Sequence, residues 1–212
     1  MRSGASLHVF DGRGNEHHAT LLEVKRSEIV LEIGNALPVT TESPRHLTLL
    51  QGIARNDHMD LVLQKAVELG VHAIQPLWMQ RSQKRLQGER MEKRNRHWKG
   101  VIISACEQCS RATLPTLLPA SDYASSVKSG ADDNLLRLML QPEASLSLRG
   151  LEPPAGDIAI LVGPEGGLTA EEQSLASSCG FTGVRMGPRI LRTETAALAA
   201  LAGIQTLWGD FD

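Results

Sequence analysis

Aromatic residues are scarce in this chain: three Phe, three Trp and one Tyr in 212 residues. This excludes an aromatic platform on which successive bases of a single strand could stack, so any RNA must be held by charge and shape. An excess of positive charge is also missing. Lys and Arg number 22 against 24 Asp and Glu, a formal net charge of −2, which excludes a protein that coats nucleic acid indiscriminately by neutralising many phosphates. Cysteine is limited to three residues, an odd count, and no apolar signal segment opens the sequence, a combination that points to the reducing cytoplasm and away from a disulfide scaffold. Cys106 and Cys109 have C-x-x-C spacing, but they lie in a helical run with neither a second pair nor a His cluster nearby, so no metal is expected. No apolar stretch is long enough to span a bilayer, so no membrane is expected as a partner. G-x-G-x-x-G and G-x-x-x-x-G-K-S/T are both lacking, which removes the dinucleotide fingerprint and the nucleoside triphosphate loop.

What is present is aliphatic and patterned. Residues 7–33 read as a few short antiparallel strands around the turn Asp11-Gly12-Arg13-Gly14-Asn15. The stretch from Pro38 to Pro44 is linker-like and places a boundary between a small first domain, 1–43, and a second, 44–212. Beyond it strands and helices alternate. A strand over 46–50 precedes a helix N-capped by Asp57, whose Met59, Val62, Leu63, Ala66 and Val67 follow helical spacing and which Gly70 ends. A strand over 71–77, a long helix from about 90 to 110, and apolar runs over 135–140 and 157–162 follow, the last uninterrupted as in a strand covered on both faces. This order predicts an α/β fold with a mainly parallel sheet.

Two segments carry the candidate chemistry. In the first, Val162-Gly163-Pro164-Glu165-Gly166-Gly167-Leu168-Thr169-Ala170-Glu171-Glu172, a buried strand runs into a glycine-rich loop, and Thr169 with Glu172 forms a capping box for the next helix. Ligands of open α/β sheets sit beyond the carboxyl ends of strands. Three glycines and a proline in five residues exceed the needs of a tight turn, and Glu165 would repel a phosphate, so a ligand with ribose hydroxyls, an adenine edge or a positive centre fits better. In the second segment, Met186-Gly187-Pro188-Arg189-Ile190-Leu191-Arg192-Thr193-Glu194-Thr195-Ala196, a short strand near 183–186 leads to a helix N-capped by Thr193, with Glu194 at its positive end. The two loops look like opposite walls of one pocket. Between Arg81 and Lys99, eight basic residues stand against Glu89 and Glu92, a candidate phosphate patch or a solvated charged face. His17 and His18 read as surface residues of the small domain.

These two segments, with Gln64-Lys65-Ala66-Val67-Glu68-Leu69-Gly70-Val71, Arg81-Ser82 and Cys106-Glu107-Gln108-Cys109-Ser110-Arg111, resemble the bacterial 16S ribosomal RNA uridine N3-methyltransferases of the SPOUT superfamily over nearly the whole chain. The resemblance implies a trefoil knot at the C-terminus, a homodimer, S-adenosylmethionine as cofactor and the small ribosomal subunit's 16S rRNA as partner. It also implies a small PUA-like β-barrel at the front, inside which Met1-Arg2-Ser3-Gly4 begins. Cofactor contacts implied by the resemblance are Leu140, Gly163, Pro164, Glu165, Gly166, Met186, Gly187, Leu191, Thr193 and Ala196. Uridine N3 must lose a proton, so a cation beside the pocket is needed. Arg192 is the candidate for that role, with Glu194 fixing the loop or assisting proton removal, and Arg111 second to Arg192. Arg81, Lys84, Arg85 and Arg111 are the candidate RNA contacts. Methylation of a ribose 2′-oxygen or a guanine, and a noncatalytic role in ribosome assembly, stay open.

Overall fold

The computed structural model describes residues 2–129 and 134–211. Two compact units divide the chain, Met1–Glu42 with Cys106–Leu114, and Ser43–Ala105 with Pro115–Asp212.

The smaller unit is an antiparallel meander of β1 (Ser6–Phe10), β2 (Glu16–Val24) and β3 (Ile29–Leu37). Its first turn is built as the sequence suggests. The Asp11 carboxylate accepts from the backbone N–H of Arg13 at 2.7 Å and from the Asn15 side-chain amide at 2.7 Å, bonds that hold its carboxyl below the usual carboxylate range, the Asn15 side chain contributing most. Residues 106–114 belong to this unit because Glu42 fastens them: its carboxylate accepts from Arg111 Nη2 at 2.7 Å and from the Thr113 backbone N–H at 3.3 Å.

The larger unit is a seven-stranded sheet in the order β10-β8-β9-β4-β5-β6, with β7 also paired to β5. The strands are β4 (Leu47–Gly52), β5 (Ala73–Trp78), β6 (Thr116–Leu117), β7 (Ser121–Asp122), β8 (Leu136–Leu140), β9 (Ile158–Val162) and β10 (Thr182–Val184). Every pairing among them is parallel. All five β9 residues are buried, as the unbroken apolar run requires of a strand covered on both faces. Tyr123 and Val127 of α3 (Tyr123–Lys128) and Ala176 of α4 (Ala170–Ser178) pack on Leu50, Leu77, Met139 and Leu161. Each such fully buried aliphatic side chain contributes about 1.5–3 kcal/mol. α1 (Asn56–Glu68) and α5 (Thr193–Trp208) pack on each other, and α5 also packs on β9 and β4. Small residues Ala197 and Ala200, both fully buried, let α5 approach closely. The long helix α2 (Glu89–Cys109) lies where the periodicity placed it.

Two helix starts differ from the sequence reading. α1 begins at Asn56, with Arg55 in the N-cap position, and Asp57 lies inside the first turn. α5 begins at Thr193, so Arg192 and not Thr193 occupies its N-cap. At α1 the polar group at the helix start comes from a distant part of the chain, the Glu165 carboxylate, which accepts from the Arg55 backbone N–H; at α5 the N-cap side chain makes no capping bond, and the Thr193 hydroxyl is turned to Gly163 and Gln51. The Thr169–Glu172 capping box of α4 is present in both of its hydrogen bonds, at 3.2 Å and 2.9 Å.

Candidate functional site

The carboxyl ends of β8, β9 and β10 open into a cavity of about 590 Å³, within the range of small-molecule sites. Loop 163–168 and loop 185–192 both line it, as do Leu140, Gln141 and Glu143 beyond β8 and Arg81 beyond β5.

Each glycine of the first loop has its own steric reason. Gly167 donates to the Pro164 carbonyl at 2.8 Å and has a φ of 68°, a backbone state glycine adopts at little cost. A Cβ on Gly163 would lie 2.9 Å from the Gly167 carbonyl carbon and 3.0 Å from the Leu168 nitrogen. At Gly166 a Cβ would lie 3.0 Å from Arg81 Cβ, and Arg81 Nη1 donates to the Gly166 carbonyl at 2.7 Å. The glycine content that looked excessive for a turn is therefore used in full by the turn and by Arg81. The loop's shape is what leaves the cavity open.

Buried hydrogen bonds join the two walls. Thr193 Oγ1 donates to the Gly163 carbonyl at 2.6 Å and accepts from Gln51 Nε2 at 3.0 Å, with Gln51 fully buried at the end of β4. Glu172 extends the framework on the other side: its carboxylate accepts from the Gln80 backbone N–H at 2.8 Å, next to Arg81. Tyr123 donates its hydroxyl to the Glu172 carbonyl at 2.5 Å, and burial pushes that phenol well above its ordinary pKa, so it remains a donor. Replacing Thr193 by Val should leave the Gly163 carbonyl and one Gln51 amide hydrogen unpaired. Each buried orphan costs about 1–3 kcal/mol, and for a chain of this size each kcal/mol lowers Tm by about 2–4 °C. Thermal denaturation of Thr193→Val should therefore fall by about 5–10 °C, and a melt matching wild type would show that the bridge is idle.

All ten residues implied as cofactor contacts line this cavity: Leu140, Gly163, Pro164, Glu165, Gly166, Met186, Gly187, Leu191, Thr193 and Ala196. The charged residues lining it are Arg81, Arg189, Glu143 and Glu165, two of each sign. That balance provides no polyphosphate site. Arg192 lies between lining residues Leu191 and Thr193, is exposed, and among the described residues its guanidinium has no hydrogen-bond or ion-pair partner. Glu194 does not line the cavity. It is buried, with Oε2 3.7 Å from His58 Nδ1. Arg81, Lys84 and Arg85 are exposed around the loop after β5. Arg111 is in the smaller unit, 5% exposed and held by Glu42, and is not among the cavity's lining residues. His17 and His18 lie on β2, outside the cavity.

Sequence reasoning missed Gln51, Gly52, His58, Gln141 and Gln173. Gln141 Nε2 donates to Gln173 Oε1 at 3.0 Å, and both line the cavity; the position of Gln141 at a strand's carboxyl end was its available signal. Burial pushes the Cys106 thiol up to about 11, which disfavours the thiolate that metal binding or redox exchange needs. Among the described residues no group of three or more His, Cys, Asp or Glu is arranged to hold a metal ion.

Comparison with known proteins follows this geometry. A ribosomal RNA small subunit methyltransferase E from Neisseria gonorrhoeae, solved bound to S-adenosyl methionine, is 40% identical, with a TM-score of 0.93 over 100% of this chain and 87% of that one. Proteins of the same description from Buchnera aphidicola and Rickettsia conorii are 30% and 31% identical, over 97% and 98% of this chain and 81% and 83% of theirs. Residues 41–205, which carry both walls of the cavity, match the RNA methyltransferase domain, and the chain belongs to that family.

Proposed function

We propose that this protein is an S-adenosylmethionine-dependent methyltransferase that modifies N3 of a uridine in 16S rRNA of the small ribosomal subunit. One observation carries the reading: a glycine-rich loop and a Gly-Pro loop, joined through Thr193, frame a charge-balanced cavity at the strand ends, in a chain 40% identical over its whole length to a relative solved with S-adenosyl methionine. The residues present fit that group. The tight turn that Gly163, Gly166 and Gly167 permit keeps the cavity open, and the mixed charge suits a zwitterion with a sulfonium centre.

When bound, S-adenosylmethionine supplies an electrophilic methyl group. The protein's own task is alignment and exclusion of water. Loops 163–168 and 185–192 bind and orient, with Leu140, Met186 and Leu191 as apolar lining. Arg192, beside the cavity and without a partner among the described residues, stabilises the negative charge that spreads onto the flanking carbonyl oxygens as N3 loses its proton. Because N3 is on the pairing edge, the uridine must be unpaired or flipped out, which makes structured rRNA the substrate. Arg81, Lys84 and Arg85 supply phosphate contacts at the rim, and the antiparallel unit, read as part of a PUA-like domain, adds RNA surface.

The knot is part of the same reading. The β8–β9 connection brings Leu148–Gly150 against α5, and Ser147 pairs with Arg185 just past β10, which supports a threaded C-terminus. A cytoplasmic homodimer completes it, supported by an open groove that α1 and α5 line with exposed Leu61 and half-buried Leu198 and Ala199.

The test is mapping of modified nucleosides in 16S rRNA from cells lacking the protein. Loss of N3-methyluridine at one position, restored by purified protein with S-adenosylmethionine, is the expected result. A lost ribose or guanine methyl group would assign another methyl acceptor, and unchanged rRNA with no cofactor binding would make the protein an assembly factor.

A further inference from the structure

His58, in the first turn of α1, lies against both walls of the cavity without lining it. Its Nδ1 is 3.3 Å from Glu165 Oε1 in the first loop and 3.7 Å from Glu194 Oε2 at the start of α5. Glu165 Oε1 also accepts from the Arg55 backbone N–H at 2.7 Å, so the loop is already docked on the amino end of α1. Two buried polar atoms here make no hydrogen bond, His58 Nδ1 and Glu194 Oε2. An orphaned carboxylate oxygen is costly to bury, and the nearest group able to compensate it is the imidazole.

We infer that His58 is a positioning residue: its ring, when it carries a positive charge, pulls Glu165 and Glu194 together and so holds the two cavity walls in register. Side-chain exposures of 27% for His58 and 9% for Glu194 mean that solvent screens this attraction only in part. The other charged groups around the ring are Asp57, whose Oδ2 is 3.8 Å from Nε2 but 82% exposed, and Asp60 of α1 with Arg96 and His97 of α2, which line the same groove between the helices, Asp60 being paired with His97 at 2.7 Å. Only a charged ring attracts the two carboxylates at Nδ1 and the third at Nε2. The sign follows from that. The pull on the two walls is therefore stronger on the acid side and weaker on the basic side.

The inference rests on the cavity being the S-adenosylmethionine site, so two readouts are needed, one of them independent of the cofactor. The first is the thermal melt of full-length wild type, His58→Gln and His58→Ala without ligand from pH 6 to 8.5. The second is S-adenosylmethionine affinity by calorimetry over the same range, read as the variant-to-wild-type ratio because the ligand's own amino group titrates in every sample. At pH 6 both variants should bind about fivefold more weakly than wild type, and their deficit in Tm should be largest there. At pH 8.5 His58→Gln, which keeps a neutral donor, should come within about twofold of wild type, while His58→Ala stays weaker. A Tm deficit and an affinity ratio that do not change with pH would overturn the inference. If the melts behave as described but wild type binds no S-adenosylmethionine, the cofactor reading fails and the His58 tie stands.

Discussion

Arg192→Ala should lower methyl transfer to purified small subunits by about a hundredfold or more while leaving S-adenosylmethionine affinity within about twofold of wild type. The two halves of this expectation come from one placement. Arg192 occupies the N-cap of α5 through its backbone and makes no side-chain capping bond, so truncation leaves the helix start intact. Thr193, next in the chain, carries the wall-to-wall bridge and is untouched. The guanidinium is exposed and has no partner among the described residues, so nothing in the resting architecture is seen to depend on it. Its expected contribution is made only as charge develops on the uracil carbonyl oxygens, which is the signature of an effect on turnover and not on ground-state binding. Single-turnover methylation with labelled cofactor, beside calorimetry, separates the two. Full turnover in the variant would take Arg192 out of the mechanism. A parallel loss of cofactor affinity would recast it as a wall residue.

Elements whose determinants are local were legible in the sequence. The β9 run, the α2 periodicity, the Asp11–Asn15 turn and the Thr169–Glu172 box all depend on neighbours within a few residues, and all occur where local rules place them. Both errors at helix starts have the opposite origin. Asp57 has the right side chain for an N-cap, yet the α1 start is served by Glu165, whose carboxylate comes from 110 residues away. Thr193 also looks like a cap, but its hydroxyl is engaged by Gly163 and Gln51, 30 and 142 residues distant. A capping rule assumes that a polar side chain serves its own helix, and at a ligand cavity that assumption fails because the same groups knit loops together.

The candidate site divides along the same line. The lining residues were readable because they cluster in two short stretches with Gly-Pro signatures and a family resemblance. Gln51, Gly52 and His58 stand outside any motif. Nothing local distinguishes the glycine at the end of β4 from a strand-terminating turn residue, and His58 looks like one more polar position on an amphipathic helix. Their importance arises only where β4, the loop after β9 and the start of α5 meet. Arg111 shows the converse: a basic residue in a motif-like stretch, buried and neutralised by Glu42, where sequence alone cannot tell a paired guanidinium from a free one.

Gly52 allows the sharpest steric test. A Cβ at this position would lie 2.6 Å from both the nitrogen and Cδ of Pro164 and 2.8 Å from Met79 Sδ. Met79 can swing aside; the Pro164 nitrogen is backbone of the cavity loop, and it is hemmed in by the turn at Gly163 and Gly167. Gly52→Ala must therefore push the loop into the cavity or off α1, breaking the alignment on which transfer depends. Overpacking of this kind costs about 1–3 kcal/mol of stability, but the functional loss should be larger: S-adenosylmethionine affinity down by about tenfold or more and turnover by about a hundredfold. Gly180→Ala is the control. Gly180 has a φ of 85° with nothing within 4 Å of an added Cβ, so that variant bears backbone strain of about 1 kcal/mol at a residue that does not line the cavity. It should melt earlier yet bind cofactor like wild type. Equal affinities for the two variants would mean that the β4 end and the Pro164 loop are not coupled through this contact, and would leave the tight approach at Gly52 as packing alone.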